Sequence, residues 1–430
     1  MTLMPPEYLE LRSVRKSLHA RLAQVKENPF WSKHSDPELK IHRIHAYPAK
    51  FPAFITSKAL AFAKSNGVKV KTIGDIFCGC GTVAFEARRN GIDFWGCDIN
   101  PVATLIAGVK SNSYDQSKLD RYYQRIIRVL PRAGADVDLS DAAIDRLSYW
   151  YPQKQFQHLA KLLNAIKQSI SPRSHYQNFF LCAFSNILKP TSRWLTKSIK
   201  PQLDPNKIPA DVTDAFRNQI DHMIHAWKQF EFDAKSETTI LTANILDLAI
   251  PRTIDMIVTS PPYVTSYEYA DLHQLSSLWL GYASDYRELR QGSIGSTQHS
   301  LDFNREIKRL NKIGSQVVFS LFDRDQSIAR STAKYFLDMQ AVASRCFHFL
   351  KPTGLALFVI GNTEYKGVRI DNAAHLAESL LISGFSRVRV AKRRLSGKIL
   401  TPYRDSVGQF SGRSTGRHVY AEEFVLIANK

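Results

Sequence analysis

The residues best suited to chemistry are the pentapeptide Thr-Ser-Pro-Pro-Tyr at positions 259–263. It follows the apolar run 254–258, whose composition predicts a buried strand. Because proline has no backbone N–H, two prolines in a row end the strand and turn the chain sharply. Ligands of open α/β sheets bind outside the carboxyl ends of the strands. We therefore expect the Ser260 hydroxyl and the Tyr263 ring to face a substrate, the alternative being a plain strand end with a core tyrosine.

A glycine turn at residues 78–81, Cys-Gly-Cys-Gly, is the second such stretch. It follows a predicted strand, Lys71–Phe77, and precedes a predicted helix, Val83–Asn90. Asp98 ends the next predicted strand about 20 residues further on, a spacing that lets a carboxylate bind ribose hydroxyls. The third glycine that a pyrophosphate needs is missing from this turn. The pattern therefore favours an adenosine ligand without a pyrophosphate, and we expect S-adenosylmethionine.

Thiol and imidazole side chains near these stretches raise the question of a metal. Cys78 and Cys80 are one residue apart inside a nucleotide-type turn, which favours packing of small side chains over metal binding. His42 and His45 have no third ligand nearby in the sequence, which favours hydrogen bonding. We predict no metal site. The five cysteines are an odd number without paired spacing, which is typical of a reducing, cytoplasmic setting.

The overall charge favours a polyanionic partner. The chain carries 58 Lys and Arg against 39 Asp and Glu, a formal net charge of +19. A positive field of this size is typical of proteins that bind nucleic acid, and the alternative is a generally basic surface. The sequence contains no apolar run long enough to span a membrane and no secretory signal, so we expect no membrane partner.

Four segments follow from the pattern of the 430 residues. Residues 1–37 predict a helical leader, and residues 38–109 an α/β half that carries the glycine turn. Residues 110–236 interrupt the α/β rhythm with helical periodicity and predict a helical insertion. Residues 237–430 predict a second α/β half that carries the Pro-Pro turn.

Within the second half, residues 281–333 are polar and predict loops. Beyond them we expect a helix at Tyr335–Leu350, a strand at Leu355–Ile360 and a helix at Asn372–Ser383. An antiparallel strand pair, Ser386–Val390 with Glu423–Ala428, closes the sheet around a basic loop. The cations of this loop are Lys392, Arg393, Arg394, Lys398, Arg404, Arg413 and Arg417. With the polar, basic stretch Lys189–Lys200 of the insertion, they are candidates for phosphate contacts, the alternative for Lys189–Lys200 being a solvated basic loop. The insertion and the C-terminal loop are also candidates for target recognition.

The run Asp75-Ile-Phe-Cys-Gly-Cys-Gly81, followed by Asp98 and then Ser260-Pro261-Pro262-Tyr263, resembles the amino-methylating DNA methyltransferases. Residues 47–52, Tyr-Pro-Ala-Lys-Phe-Pro, are similar to the cofactor-covering motif of that family. The resemblance covers roughly residues 40–108 and 238–428. It implies a Rossmann-like methyltransferase sheet with helices on both faces, a helical insertion and the antiparallel closing pair.

The resemblance also assigns roles. It implies that the turn Ser260, Pro261, Pro262 and Tyr263 is catalytic. It implies S-adenosylmethionine binding by Tyr47, Ala49, Lys50, Phe77, Gly79, Gly81, Asp98, Asn244 and Asp247. The implied partners are double-stranded DNA and a cognate restriction endonuclease, in a cytoplasmic protein of bacterial, archaeal or phage origin.

Serine at the first catalytic position is similar to the subgroup that methylates cytosine N4, and we expect that reaction. A hydroxyl and a proline carbonyl that accept hydrogen bonds from the amine would localise its lone pair for attack. Three alternatives stay open: N6-adenine methylation of DNA, methylation of an RNA amine, and DNA binding without catalysis. Methylation at cytosine C5 is not expected, because no cysteine follows a proline or lies at the Pro-Pro turn.

Overall fold

A computed structural model describes residues 8–14, 18–32, 38–48, 50–230, 232, 235–249, 254–264, 269–295, 302–394, 403–404, 410–411, 417–418 and 423–430. The main sheet has eight strands in the spatial order β1-β9-β13-β6-β5-β2-β3-β4. They are β1 (Leu9–Leu11), β2 (Thr72–Asp75), β3 (Asp93–Asp98), β4 (Thr238–Thr242), β5 (Ile254–Thr259), β6 (Leu350–Gly361), β9 (Arg387–Arg393) and β13 (Glu423–Asn429). Two small sheets hold β7 (Thr363–Tyr365) with β8 (Val368–Ile370), and β10 (Tyr403–Arg404) with β11 (Phe410–Ser411) and β12 (Arg417–His418).

The sheet is doubly wound, and its strand order reverses beside β2. Strands β4, β3, β2, β5 and β6 are parallel neighbours in that order. From β2 the chain proceeds to β3 and β4 on one side and returns as β5 and β6 on the other. Such a reversal opens a crevice at the carboxyl ends of the central strands, where ligands bind in α/β sheets. β13 then inserts antiparallel between β6 and β9, which confirms the predicted closing pair.

Helices cover both faces of this sheet, because its strands bury the side chains that point to either face. In β6, Leu355, Leu357 and Val359 pack on one side, and Ala356 and Phe358 pack on the other. The first side is covered by α2 (Ala53–Ser65) and α3 (Thr82–Arg89). The second is covered by α13 (Lys312–Phe322), α14 (Gln326–Phe349) and α15 (Asn372–Ile382). Continuous apolar strands of this kind are typical of sheets buried on both faces.

The remaining helices are α1 (Leu18–Ala23), α4 (Pro101–Lys110), α5 (Gln116–Val129), α6 (Asp141–Trp150), α7 (Gln153–Ser169), α8 (His175–Ile187), α9 (Val212–Trp227), α10 (Tyr269–Leu272), α11 (Gln274–Trp279) and α12 (Phe303–Glu306). Short 3₁₀ turns lie at Pro29–Trp31, Lys40–Arg43, Leu130–Arg132, Tyr286–Arg290 and Ile307–Arg309. Helices α4 to α9 and α11 share a third core with buried aromatic rings. The described part of residues 110–236 is thus mainly helical, while the division of the chain into four segments stays a prediction.

Two expectations for local structure were wrong. The leader is not one helix: Leu9–Leu11 pairs as an edge strand with β9, and among its described residues the α-helical part is Leu18–Ala23. The stretch predicted as loops contains α12, α13 and the start of α14. Their N-caps Asn311 and Asp325 and their polar exposed faces resemble a loop in composition, although Val317 and Val318 of α13 are buried.

Candidate functional site

The two stretches singled out in the sequence meet at the crevice. The glycine turn leaves β2 and the Pro-Pro turn leaves β5, and these strands are parallel neighbours. The hydroxyl of Thr259, directly before Ser260, donates to Oδ1 of Asp75 over 2.6 Å. The same Asp75 oxygen accepts from the backbone N–H of Phe77, so one carboxylate ties both turns together. Burial raises the pKa of Asp75 to about 7, against the opposing effect of these two hydrogen bonds.

The glycine turn is shaped by its backbone. Gly79 and Gly81 have φ angles of 47° and 74°, in the left-handed region that favours glycine. A Cβ on Gly81 would lie 2.5 Å from the Cβ of Ala107, so α4 packs directly on the turn. Helix α3 begins at Thr82 without a side-chain cap, which leaves its first amide groups available to a ligand.

Asp98 lies beside this turn, as the sequence predicts. Its Oδ2 accepts from the N–H of Gly79 and its Oδ1 accepts from the N–H of Asn100, each over 2.9 Å. Burial raises the pKa of Asp98, and these two hydrogen bonds act against the rise. The carboxylate is therefore held rigidly at the carboxyl end of β3.

The segment predicted to cover the cofactor, residues 47–52, reaches the turn through one ring. The ring of Tyr47 lies over Gly79, where an added Cβ would meet its Cε1 at 3.6 Å. The same ring stacks on His273 of the segment that follows the Pro-Pro turn, with centroids 5.0 Å apart. Lys50 instead donates to Oε2 of Glu38 and to the carbonyl of His42, each over 2.8 Å. Ala49 lies outside the described residues.

The other predicted cofactor residues lie around the end of β4 and the start of the turn. Asn244 donates to the carbonyl of Gly292 over 3.2 Å and accepts from the N–H of Leu246. Its neighbour Ala243 donates to the backbone carbonyl of Asp98, which brings Asn244 close to that strand end. Asp247 is exposed, and Phe77 is half-buried against the core beneath α13 to α15.

The Pro-Pro turn is held by strands that come late in the chain. The Ser260 hydroxyl donates to the backbone carbonyl of Val359 in β6 over 2.9 Å. The Tyr263 hydroxyl donates to Oε1 of Glu423 over 3.1 Å, and Glu423 forms an ion pair with Arg393. Burial raises the pKa of Tyr263 well above its usual range, and the Glu423 carboxylate raises it further. Pro261 is buried and Pro262 is half-buried between these anchors.

The assignment of Arg393 to phosphate contacts was wrong. Its side chain is 8% exposed and pairs with Glu423, because β9 extends to Arg393 and lies in register with the start of β13. Arg394 is exposed. Lys398 and Arg413 lie outside the described residues, as do the side chains of Arg404 and Arg417.

The basic stretch Lys189–Lys200 is also more enclosed than predicted. Lys189 donates to the carbonyl of Ser198 over 2.7 Å, and Arg193 donates to the carbonyl of Tyr149 over 3.0 Å. Trp194 is buried and stacks on Trp150, with centroids 4.9 Å apart. Two cations of this stretch that remain exposed are Lys197 and Lys200.

Sequence reasoning missed Thr259, Glu423 and the tie through Asp75. The role of Asp75 had a signal in the sequence. It is an acidic residue within an apolar strand, directly before a glycine turn. Glu423 gave no local signal, because its role depends on β13 lying two strands from β5.

Within the described ranges, no group of three or more His, Cys, Asp or Glu side chains is arranged to hold a metal ion. No helix among the described residues has the length and apolarity to cross a membrane.

The chain is similar in sequence to type II methyltransferases. It is 24% identical over 366 residues to the type II methyltransferase M.MvaI of Kocuria varians, covering 78% of this chain and 80% of that protein. Identity to M.BsoBI of Geobacillus stearothermophilus is 23% over 422 residues, with 84% and 82% covered. For M.AvaI of Nostoc sp. it is 24% over 340 residues, with 69% of each chain covered. No protein-family model matches the chain.

Among solved structures, the chain is similar to the rRNA methyltransferase aviRa from Streptomyces viridochromogenes. The identity is 11%, and 80% of this chain and 94% of that chain are covered. The TM-score is 0.25.

Proposed function

We propose that this chain is a site-specific DNA methyltransferase that transfers a methyl group from S-adenosylmethionine to the exocyclic N4 amine of cytosine. The observation that carries the proposal is the junction of the two turns through the bond from Thr259 to Asp75. This bond supports the proposal because it joins the glycine turn to the Pro-Pro turn at the point where the strand order reverses, which is where ligands of α/β sheets bind. The homology to type II methyltransferases over most of the chain supports the same reaction class.

The residues around the glycine turn fit S-adenosylmethionine. Gly81 admits no side chain, and the uncapped start of α3 offers backbone donors to a ligand. Asp98 is preorganised to accept the ribose hydroxyls, since its two carboxylate oxygens are oriented by backbone N–H groups. When bound, this cofactor supplies an electrophilic methyl group on a sulfonium centre.

Other residues complete the proposed cofactor site. Tyr47 covers the turn from above, where it keeps water away from the ligand. Phe77, Asn244 and Asp247 are assigned to the remaining contacts around the strand ends. Lys50 and Ala49 belong to the same motif, and the observed partners of Lys50 are Glu38 and the carbonyl of His42.

The hydrogen bond of Ser260 defines its proposed catalytic role. A hydroxyl has one proton, and the Val359 carbonyl can only accept, so the Ser260 hydroxyl donates its one hydrogen bond to Val359 in β6. The Ser260 oxygen also lies within hydrogen-bond reach of the Tyr263 hydroxyl. We assign a lone pair of this oxygen to accept from the amine of the target base. The Pro261 carbonyl is the second proposed acceptor. Together they would localise the nitrogen lone pair as the new bond forms, which is preorganised stabilisation of the transition state.

The base itself must leave the duplex to reach this crevice, since its amine is otherwise paired and stacked. We assign Tyr263 to stacking against the extruded base, with its ring fixed through the hydroxyl by Glu423. Direct attack of nitrogen on the methyl group needs no covalent enzyme intermediate, so positioning is the main contribution of the protein.

The net charge of +19 suits a DNA substrate. A cytoplasmic role in restriction and modification, with a cognate endonuclease as partner, is part of the proposal.

Nucleoside analysis tests the function directly. DNA from a host that expresses the chain, digested and analysed by mass spectrometry, should contain N4-methylcytosine, and DNA from a host that expresses Ser260→Ala should contain far less. N6-Methyladenine instead would retain the methyltransferase assignment and reverse the interpretation of serine as a cytosine marker. Methylated RNA with unmodified DNA would shift the substrate to RNA. If no base is modified although the protein binds S-adenosylmethionine, the catalytic proposal is wrong.

A further inference from the structure

Helix α5 presents a stripe of cations to solvent that the proposed site does not use. Lys118, Arg121, Arg125 and Arg128 are all exposed, and Arg132 continues the row in the 3₁₀ turn that follows. These positions are three or four residues apart, so at 3.6 residues per turn they line one side of the helix. We call these five residues the α5 stripe.

The opposite side of α5 determines which way the stripe faces. Leu119 and Ile126 are buried in the helical core, and the half-buried rings of Tyr122 and Tyr123 pack against it. The helix therefore cannot rotate to hide its cations. Its one acidic residue, Asp120, lies at the margin of the stripe, beside Arg121 and Gln124.

The charges of the stripe are uncompensated within the described part of the chain, where none of the five side chains forms an ion pair with a carboxylate. Other helices of the protein pair their cations: α9 joins Arg217 to Asp214, and α14 joins Lys334 to Asp338. Like charges three or four residues apart destabilise a helix by a few tenths of a kcal/mol per pair. A row of five that tolerates this repulsion is well suited to an anionic partner.

The position of the helical core connects the stripe with the proposed site. Arg146 and Trp150 of α6 both donate to the side chain of Gln274, at the start of α11. Ser185 of α8 donates to Ser276 of the same helix. His273, directly before α11, stacks on Tyr47, whose ring lies over Gly79 of the glycine turn. The helical core that carries α5 is therefore joined to the edge of the sheet where the proposed site lies.

We propose that the α5 stripe binds the phosphate backbone of duplex DNA and holds it against this edge of the protein. This inference rests on the proposed function. From Lys118 to Arg128 the stripe is about 15 Å long, at 1.5 Å per residue. Duplex DNA carries one charge per about 1.7 Å of its axis, so several phosphates lie within that length. Contacts of this kind position the duplex and do not read its sequence.

The salt dependence of DNA binding tests the stripe. The variant Arg121→Gln/Arg125→Gln/Arg128→Gln should bind a fluorescein-labelled duplex of mixed sequence more weakly at low salt. The slope of log affinity against log salt should become shallower by about 2.7, at about 0.9 per lost phosphate contact. Fluorescence anisotropy over a salt series gives both quantities. The corresponding Arg→Lys triple variant retains the charges and should retain the slope.

A matched control separates the stripe from the bulk charge. Lys64, Lys69 and Lys71 are exposed cations that precede β2, at the amino edge of the sheet. Changing all three to Gln removes the same charge and should leave the slope within about 0.9 of the unchanged protein. An equal change of slope in both triple variants, or none in either, would overturn the proposal.

The readouts distinguish this inference from the proposed function. Calorimetric binding of S-adenosylmethionine shows whether each variant is folded. If the triple variant does not fold, the three single Arg→Gln variants replace it, and each should change the salt slope by about 0.9. If the unchanged protein methylates DNA and the triple variant retains its full slope, the stripe is wrong and the function stands. If the unchanged protein neither methylates nor binds DNA, the function itself is wrong.

Discussion

The glycine turn and the Pro-Pro turn leave adjacent strands at the same edge of the sheet but are built in different ways. The glycine turn is held by its own neighbourhood: Gly81 packs on Ala107, and Gly79 donates to Asp98. The Pro-Pro turn is held from a distance, since Ser260 and Tyr263 bond to residues 99 and 160 positions later in the chain.

The difference separates two requirements of the proposed reaction. A turn shaped by backbone conformation and close packing can bind a cofactor whatever its side chains are, provided that they do not fill the space of the ligand. A turn whose hydroxyls are oriented by distant strands depends on the whole sheet being assembled. The Asp75 carboxylate joins the two turns directly, and it is buried. Variants of each turn should therefore fail in different ways.

Gly81→Ala should have the largest effect. The added Cβ meets Ala107 at 2.5 Å, and the φ of 74° is unfavourable for alanine. Strain of 1–2 kcal/mol and overpacking of 1–3 kcal/mol together should lower the free energy of unfolding by about 2–5 kcal/mol. Thermal denaturation should show this loss, and calorimetry should show that binding of S-adenosylmethionine is lost with it.

Gly108→Ala is the matched control on the helix that packs against this turn. A Cβ there meets open space, and alanine is favoured over glycine in a helix by up to about 1 kcal/mol. Stability equal to or above that of the unchanged protein is expected. Should Gly81→Ala behave like Gly108→Ala, the backbone account of the glycine turn would be refuted.

Ser260→Ala should spare binding and stop chemistry. The change removes the proposed acceptor of the amine, and one preorganised polar group is typically worth about 10²–10³ in turnover. Affinity for S-adenosylmethionine should stay within about twofold, since each 1.4 kcal/mol is tenfold and no cofactor contact is removed. Single-turnover methylation and calorimetry on the same preparation measure the two quantities. A comparable loss of cofactor affinity would contradict the separation of roles.

Tyr263→Phe tests the anchor that Glu423 provides. The ring is kept and one hydrogen bond is removed, so a loss of about 0.5–1.5 kcal/mol is expected, up to about tenfold in methylation rate at subsaturating DNA. Tyr263→Ala removes the ring as well and should weaken engagement of the base further, by about 1–3 kcal/mol. If the two variants were equally impaired, stacking would contribute nothing measurable.

Asp75→Asn should change the way stability depends on pH. The pKa of Asp75 is about 7 in the folded protein and 3.8 in its ordinary state. Between these values the folded state holds a proton that the unfolded state has released, so stability falls as pH rises from about 4 to about 7. The slope is at most about 1.4 kcal/mol per pH unit.

Denaturant titrations across that pH range should show this contribution in the unchanged protein and its absence in Asp75→Asn. The amide oxygen of asparagine can still accept from Thr259, so the tie between the turns is retained. Asp145→Asn, at an exposed position of α6, is the control and should leave the slope unchanged. An unchanged slope in Asp75→Asn would show that Asp75 titrates normally.

Much of the site could be predicted because its signals are local. Pro261 and Pro262 end a strand wherever that strand lies, since neither can donate to a ladder. Gly79, Gly81 and Asp98 follow from the spacing of a strand, a turn and a second strand. The wrong predictions for the leader and for residues 281–333 have the same cause. The edge strand of the leader and the helices of residues 281–333 depend on packing partners far away in the chain, which local patterns do not show.

The tertiary structure decided which groups hold the proposed catalytic side chains. Val359 accepts from Ser260 because β6 lies beside β5, and Glu423 reaches Tyr263 because β13 inserts next to β6. Arg393 became a buried partner of Glu423 through the register of β9 with β13. These contacts depend on strand order and register, which join residues far apart in the chain. Residue types alone do not specify that order, because any two apolar strands can satisfy each other's backbone hydrogen bonds.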